Sequence, residues 1–106
     1  SFQDIVFKNH SDIIKFVDNQ LNDKSNLLDE IISNFNNNSN IYQLNQNSKS
    51  LIKAGIVLNS IWNSIPDTTI IRSEIGTKLE ENWNIVLKNY NLSFKDILKL
   101  PTISDN

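Results

Sequence analysis

Apolar residues recur every three to four positions along most of this chain, which is the spacing that places side chains on one face of an α-helix. The first such stretch has four apolar residues on a common face: Ile13, Phe16, Val17 and Leu21. We expect the helix to begin near Ser11, whose hydroxyl can cap it, and Asp12 suits the positive end of the helix dipole. The pattern therefore predicts a first amphipathic helix.

A second apolar stripe follows closely, and Ser25 is a candidate cap for it. Its members are Leu27, Leu28, Ile31, Ile32 and Phe35. The two stripes are roughly in phase, so one long helix over residues 11–35 is an alternative. We favour a pair of helices, because the polar side chains of the intervening "NDKSN" compete for backbone hydrogen bonds.

The third stretch, "SLIKAGIVLNSIWNSI", is apolar on most sides, which is typical of a central helix. Pro66 is expected to end it one residue earlier. Gly55 costs about 1 kcal/mol relative to Ala in a helix interior, so its presence suggests a close helix contact.

A fourth helix is predicted over "TIIRSEIGTKLEENWNIVLKNY", with Asp67, Thr68 or Thr69 as its cap. Its stripe consists of Ile71, Ile75, Leu79, Trp83, Val86, Leu87 and Tyr90. A short fifth helix should begin at Ser93, which forms a capping box with Asp96.

The fifth helix is expected to pack back on the others through its apolar residues Phe94, Ile97 and Leu98. Pro101 should close it, which leaves "TISDN" as a frayed tail. The chain as a whole has only two glycines and two prolines, fewer than a sheet protein of this size needs for its turns.

An asparagine-rich stretch separates the N-terminal helices from the third one. The prediction is an all-α fold, a bundle or orthogonal array of four to five helices, with a long Asn-rich connection near residues 36–49. Within that connection we expect Ile41, Tyr42 and Leu44 to pack against the bundle while residues 36–40 stay exposed.

Composition narrows the class of protein. The 106 residues suit one domain, and the start at Ser1 suggests a piece of a longer protein. The absence of cysteine excludes disulfides and thiolate metal sites, and it favours an intracellular setting. A net charge of −2 and a single arginine argue against nucleic acid as a partner, and no apolar run is long enough for a membrane span.

Candidate chemistry is sparse. His10 is the only histidine, so a two-histidine metal site is impossible. Glu80 and Glu81 are neighbours, but adjacent residues of a helix point in different directions. We therefore predict no catalytic residue, no metal site, no cofactor and no small-molecule substrate, and hence a protein that is not an enzyme.

The two tryptophans allow two interpretations. Each belongs to the apolar stripe of its helix, so both are expected in the core; alternatively, one of them anchors a partner. In that case the candidate partner-binding residues are Trp62, Ile70, Trp83, Ile52 and Ile56. The expected function is a protein–protein interaction domain that binds a helix or peptide of a larger assembly through an apolar groove. The alternative is a self-associating helical domain of the capsid or scaffold kind.

Overall fold

The computed structural model describes residues 9–39, 46–64 and 82–103, and the structural statements below concern those residues. They form helices α1 (His10–Asp23), α2 (Ser25–Ser39), α3 (Gln46–Ser64), α4 (residues 82–89) and α5 (Phe94–Ile97). No strand occurs within these ranges. The predicted all-α fold of four to five packed helices is confirmed.

The first two helices are separate, as the polar "NDKSN" stretch predicted. Lys24 interrupts the helix with φ −114° and ψ 25°, although its N–H still donates to the carbonyl of Gln20. The cap of α1 was predicted wrongly. Asn9 caps it, and its side chain accepts a hydrogen bond from the N–H of Asp12, whereas Ser11 lies inside the first turn. Asn and Ser are nearly equal as caps, so sequence alone did not separate them.

The second candidate cap, Ser25, is the first residue of α2, and its hydroxyl accepts a hydrogen bond from Lys53 of α3 at 3.4 Å. Lys53 also forms an ion pair with Asp29, with 2.7 Å between Nζ and Oδ1. Two polar contacts thus join α2 to α3 beside the apolar seam.

Helix α3 is the centre of the fold, as its nearly continuous apolar surface predicted. It contacts α1, α2 and α5. Its side chains from Ile56 through Ile61 are all buried, including the polar Asn59 and Ser60. From the other helices, the residues that complete the core around it are Ile13, Val17, Leu28, Ile32, Trp83, Val86, Leu87 and Ile97.

The Asn-rich connection is shorter than expected. Helix α2 continues to Ser39 and α3 already begins at Gln46, so the polar residues at both ends of the predicted loop are helical. Asparagine and glutamine tolerate a helix when neighbouring turns carry the apolar contacts. Residues 40–45 and 65–81 lie outside the described residues, as do the side chains of residues 36–39. The predictions that fall there are the packing of residues 41–44, the exposure of residues 36–40, the end of α3 before Pro66 and the part of the predicted fourth helix before residue 82.

Helix α4 ends in a left-handed residue that turns the chain into α5. Asn91 has φ 55°, the N–H of Leu92 donates to the carbonyl of Leu87, and the N–H of Asn91 donates to that of Lys88. This is the hydrogen-bond pattern of a Schellman motif.

Helix α5 begins with the predicted capping box between Ser93 and Asp96. Ile97 is fully buried as expected, but the prediction for Leu98 was wrong, since 52% of its surface is exposed. The helix ends at Ile97, so Leu98 lies on the turn that follows the helix.

Residues 100–103, which we call the strap, lie against α3. The expectation of a frayed tail over residues 102–106 was wrong at Ile103, which is only 4% exposed, and residues 104–106 lie outside the described residues. Two buried polar side chains of α3 hold the strap: Asn59 Nδ2 donates to the carbonyl of Leu100 at 2.7 Å, and Ser60 Oγ accepts from the N–H of Ile103 at 2.8 Å.

A close approach does occur at Gly55, but its partner is the strap and not, as expected, another helix. A β-carbon placed on Gly55 would collide with Cδ1 of Leu100 and would also touch Leu92 and Ile97. Glycine at this point of α3 therefore lets the strap approach the helix backbone.

Candidate partner-binding site

Three aromatic side chains from three different helices meet at one place. Trp62 comes from the last turns of α3, Trp83 from α4 and Phe94 from the start of α5. The ring centroids of the two tryptophans are 5.4 Å apart with a tilt of 37°, and Phe94 meets Trp62 edge-on at 4.7 Å. Tilted and edge-on pairs at such distances are favourable geometries for aromatic rings.

The three rings differ in exposure. Trp83 is only 2% exposed, whereas Trp62 and Phe94 are partly buried and pack against the core. Trp83 thus forms the base of the cluster, and Trp62 and Phe94 form its solvent-facing rim. Trp62 consequently presents part of a large apolar ring to solvent while its neighbours restrict its motion.

The base of the cluster carries a buried hydrogen-bond donor. The indole Nε1 of Trp83 is buried, and no acceptor from the part of the chain that the structure describes lies within hydrogen-bond distance of it. A buried donor without an acceptor costs about 1–3 kcal/mol, and buried tryptophans usually avoid this cost.

The other predicted site residues do not extend this exposed surface. Ile56 is fully buried and Ile52 is 9% exposed, so both serve the core around α3. Ile70 lies outside the described residues. Phe94 was not predicted as a member of the aromatic cluster. It lies 32 positions from Trp62 in the sequence, and only the folding of α5 onto α3 brings the two rings together.

Large exposed apolar side chains also occur elsewhere, one each on α2, α3, α4 and the turn after α5. They are Leu27, Leu51, Ile85 and Leu98, with exposed fractions of 42%, 38%, 48% and 52%. Single exposed apolar residues are normal on a protein surface. The aromatic cluster is distinguished from them because its rings are in contact.

Among the residues that the structure describes, two ionisable groups have a shifted pKa, and both shifts have structural causes. The Ser93 hydroxyl donates to Asp96 Oδ2 at 2.7 Å, and this bond, with that from the Ser93 backbone, lowers the pKa of Asp96. Burial raises the pKa of Tyr90, and the hydrogen bond from its hydroxyl to Asp18 adds to the effect. The first contact caps the start of α5, and the second joins the end of α4 to α1.

Within residues 9–39, 46–64 and 82–103, no group of three or more His, Cys, Asp or Glu side chains is arranged to hold a metal ion. Among the helices so described, none combines the length and apolar character that crossing a membrane requires. No protein-family model matches the sequence, and searches of curated proteins and of solved structures found no match.

Proposed function

We propose that this chain is a non-enzymatic protein–protein interaction domain that binds a helix or short peptide of a larger assembly. The observation that carries the proposal is the partly exposed Trp62, held between the buried Trp83 and the partly buried Phe94. The cysteine-free composition suits an intracellular partner. An apolar groove beside Trp62 is the proposed docking site.

Two physical features support a role for Trp62 in binding. Tryptophan is enriched among the residues that dominate binding energy, because its ring removes a large apolar area from water. Packing against Trp83 and Phe94 restricts the Trp62 ring before a partner arrives. Less side-chain entropy then remains to be lost on binding, which favours affinity.

The proposal is tested with a display library of short amphipathic helical peptides selected on the full chain. Peptides that bind the wild-type protein should lose at least about thirtyfold in affinity against Trp62→Ala, which corresponds to the loss of a hot-spot residue. The affinities are measured by fluorescence anisotropy with labelled peptides.

Leu27→Ala is the control, since it removes an exposed apolar side chain from α2, away from the aromatic cluster. It should leave the affinity unchanged. Far-UV circular dichroism establishes that both variants are folded. If the library yields no binder, or if the selected peptides bind Trp62→Ala as tightly as wild type, the proposal is wrong.

A further inference from the structure

The contacts that hold the strap do not depend on which chain supplies it. Asn59 donates to a backbone carbonyl, at Leu100, and Ser60 accepts from a backbone N–H, at Ile103. The Ser60 hydroxyl in turn donates to the carbonyl of Ile56 at 2.7 Å, which fixes its lone pairs toward the strap. Two side chains of α3 are thus positioned to bind an extended backbone.

The surface of α3 is also shaped for the side chains of the strap. Gly55 leaves space that Leu100 fills, and Leu100 and Ile103 are only 8% and 4% exposed. The strap is therefore held at Leu100 and Ile103, each by the packing of its side chain and by a hydrogen bond to its backbone. We call this surface, formed by Gly55, Asn59 and Ser60, the α3 cleft.

The residues between α5 and the strap are exposed to solvent in the single chain. Leu98 exposes 52% of its surface, the largest fraction among the big apolar side chains of the described ranges. It is followed by the exposed Lys99, and this hinge is held by single-turn backbone bonds, such as the one of 3.3 Å from the N–H of Lys99 to the carbonyl of Asp96. Short bonds of this kind in an exposed turn open at low cost.

We propose that the α3 cleft also accepts the strap of a second copy of this chain, so that two copies exchange residues 100–103 reciprocally. Each cleft keeps the contacts it has in the single chain, since the incoming segment is identical. In a reciprocal exchange the two hinges pass each other near the twofold axis, and Leu98 of each copy is then covered by the other. Burial of Leu98 is the favourable difference between the exchanged dimer and two separate chains.

This inference goes beyond the proposed function, because it uses a different surface. The α3 cleft contains none of the three rings of the aromatic cluster. A Trp62→Ala chain should therefore form the exchanged dimer to the same extent as wild type. Failure of one proposal leaves the other standing.

The natural sequence has no cysteine, so a single introduced thiol reports contact between copies without interference. Lys99→Cys, which retains Leu98, is compared with Lys88→Cys at another exposed position, on α4. Both full chains are refolded at high concentration, diluted, oxidised and separated on a non-reducing gel. We expect about tenfold more cross-linked dimer for Lys99→Cys, because exchange holds the two thiols at high effective concentration. Equal cross-linking of the two variants would overturn the proposal.

A mixing experiment distinguishes exchange from simple contact of two Leu98 side chains. Ile103→Asp impairs the strap and leaves the cleft intact, whereas Ser60→Ala impairs the cleft and leaves the strap intact. When the two variants are mixed and refolded together, sedimentation should detect several-fold more dimer than with either variant alone. The reason is that in the mixed dimer the intact cleft of one variant receives the intact strap of the other. A dimer that forms equally well with Ile103→Asp alone shows surface contact instead of exchange and rejects the inference.

Discussion

At the scale of single residues, Gly55 decides how closely the strap approaches α3. Replacing it by alanine has two opposing effects. Alanine improves helix propensity by about 1 kcal/mol, and its methyl group collides with Leu100 in the wild-type packing. Overpacking of this kind typically costs about 1–3 kcal/mol.

We predict that Gly55→Ala lowers the free energy of unfolding by about 1 kcal/mol in the wild-type chain, since the collision outweighs the gain in propensity. In a Leu100→Ala chain, where the obstructing methyl groups are absent, Gly55→Ala should raise the free energy of unfolding by up to about 1 kcal/mol. Urea denaturation of the four chains measures the coupling. Equal effects in both backgrounds would show that Leu100 does not limit the space at Gly55.

Tyr90 links α4 to α1 through the hydrogen bond of 3.0 Å from its hydroxyl to Asp18. Burial and this acceptor raise its pKa in the folded protein above the ordinary value of 10.0. The folded state therefore favours the protonated phenol. Its contribution to stability is complete below pH 10.0 and is lost as the pH rises above that value, because the unfolded chain then ionises first.

We therefore predict that wild type loses stability above pH 10 more steeply than Tyr90→Phe, which has no phenol to ionise at this position. The measurement is the midpoint of urea unfolding between pH 8 and pH 11. Asp18→Asn serves as the control, since it keeps a hydrogen-bond acceptor and removes the charge, and it should show an intermediate slope. Parallel pH profiles for wild type and Tyr90→Phe would contradict the assignment.

At the scale of elements, the end of α4 depends on a single left-handed residue. Asn91 has φ 55°, a conformation that asparagine tolerates and that glycine adopts without steric cost. Asn91→Gly should raise the free energy of unfolding by about 0.5 kcal/mol, and Asn91→Ala should lower it by about 1 kcal/mol. Thermal unfolding measures both.

Asn84 is the matched control for that prediction, because it is an exposed asparagine inside the same helix. Asn84→Gly should lower the free energy of unfolding by a few tenths of a kcal/mol, opposite in sign to Asn91→Gly. The same sign at both positions would mean that the turn at Asn91 does not require a left-handed residue.

Elements whose signals are local were predictable from sequence. The break at Lys24, the central place of α3 and the capping box at Ser93 each depend on residues within a few positions of one another. The strap was not predictable in this way. Its burial is decided by Asn59 and Ser60, 41 and 43 positions earlier, and sequence gives no sign that these polar groups face inward.

The candidate site likewise combines features that depend on nearby residues with features that depend on residues far apart in the sequence. Periodicity placed Trp62 and Trp83 on apolar stripes, which was sufficient to expect both near the core. It could not show that Trp62 keeps part of its ring in solvent or that Phe94 touches it. The contact with Phe94 requires the chain to turn at Asn91 and bring α5 against α3.

At the scale of the whole molecule, α3 is the element that the other packed helices share. Helices α1, α2 and α5 contact it, and Trp62 joins it to α4. Loss of α3 would remove a packing surface from each of them. Such an arrangement favours unfolding in one cooperative step.

We predict that far-UV circular dichroism, which reports all helices, and tryptophan fluorescence, which reports the aromatic cluster, give coincident urea transitions. Ile56→Ala, a fully buried residue of α3, should shift both transitions together and cost about 2–5 kcal/mol. Leu27→Ala, exposed on α2, should change stability by less than about 0.5 kcal/mol. Separate transitions for the two probes would show that α1 and α2 unfold independently of α3.

The position of the strap along the chain has a consequence for biosynthesis. A ribosome makes α3 first and the residues that fill its cleft some forty positions later. During that interval the growing polypeptide carries α3 with two polar side chains that still lack their backbone partners. Completion of the core around α3 thus waits until residues 100–103 have left the ribosome, and on a polysome, where nascent copies lie side by side, that interval is when the strap of a neighbouring copy has its best opportunity to enter the cleft.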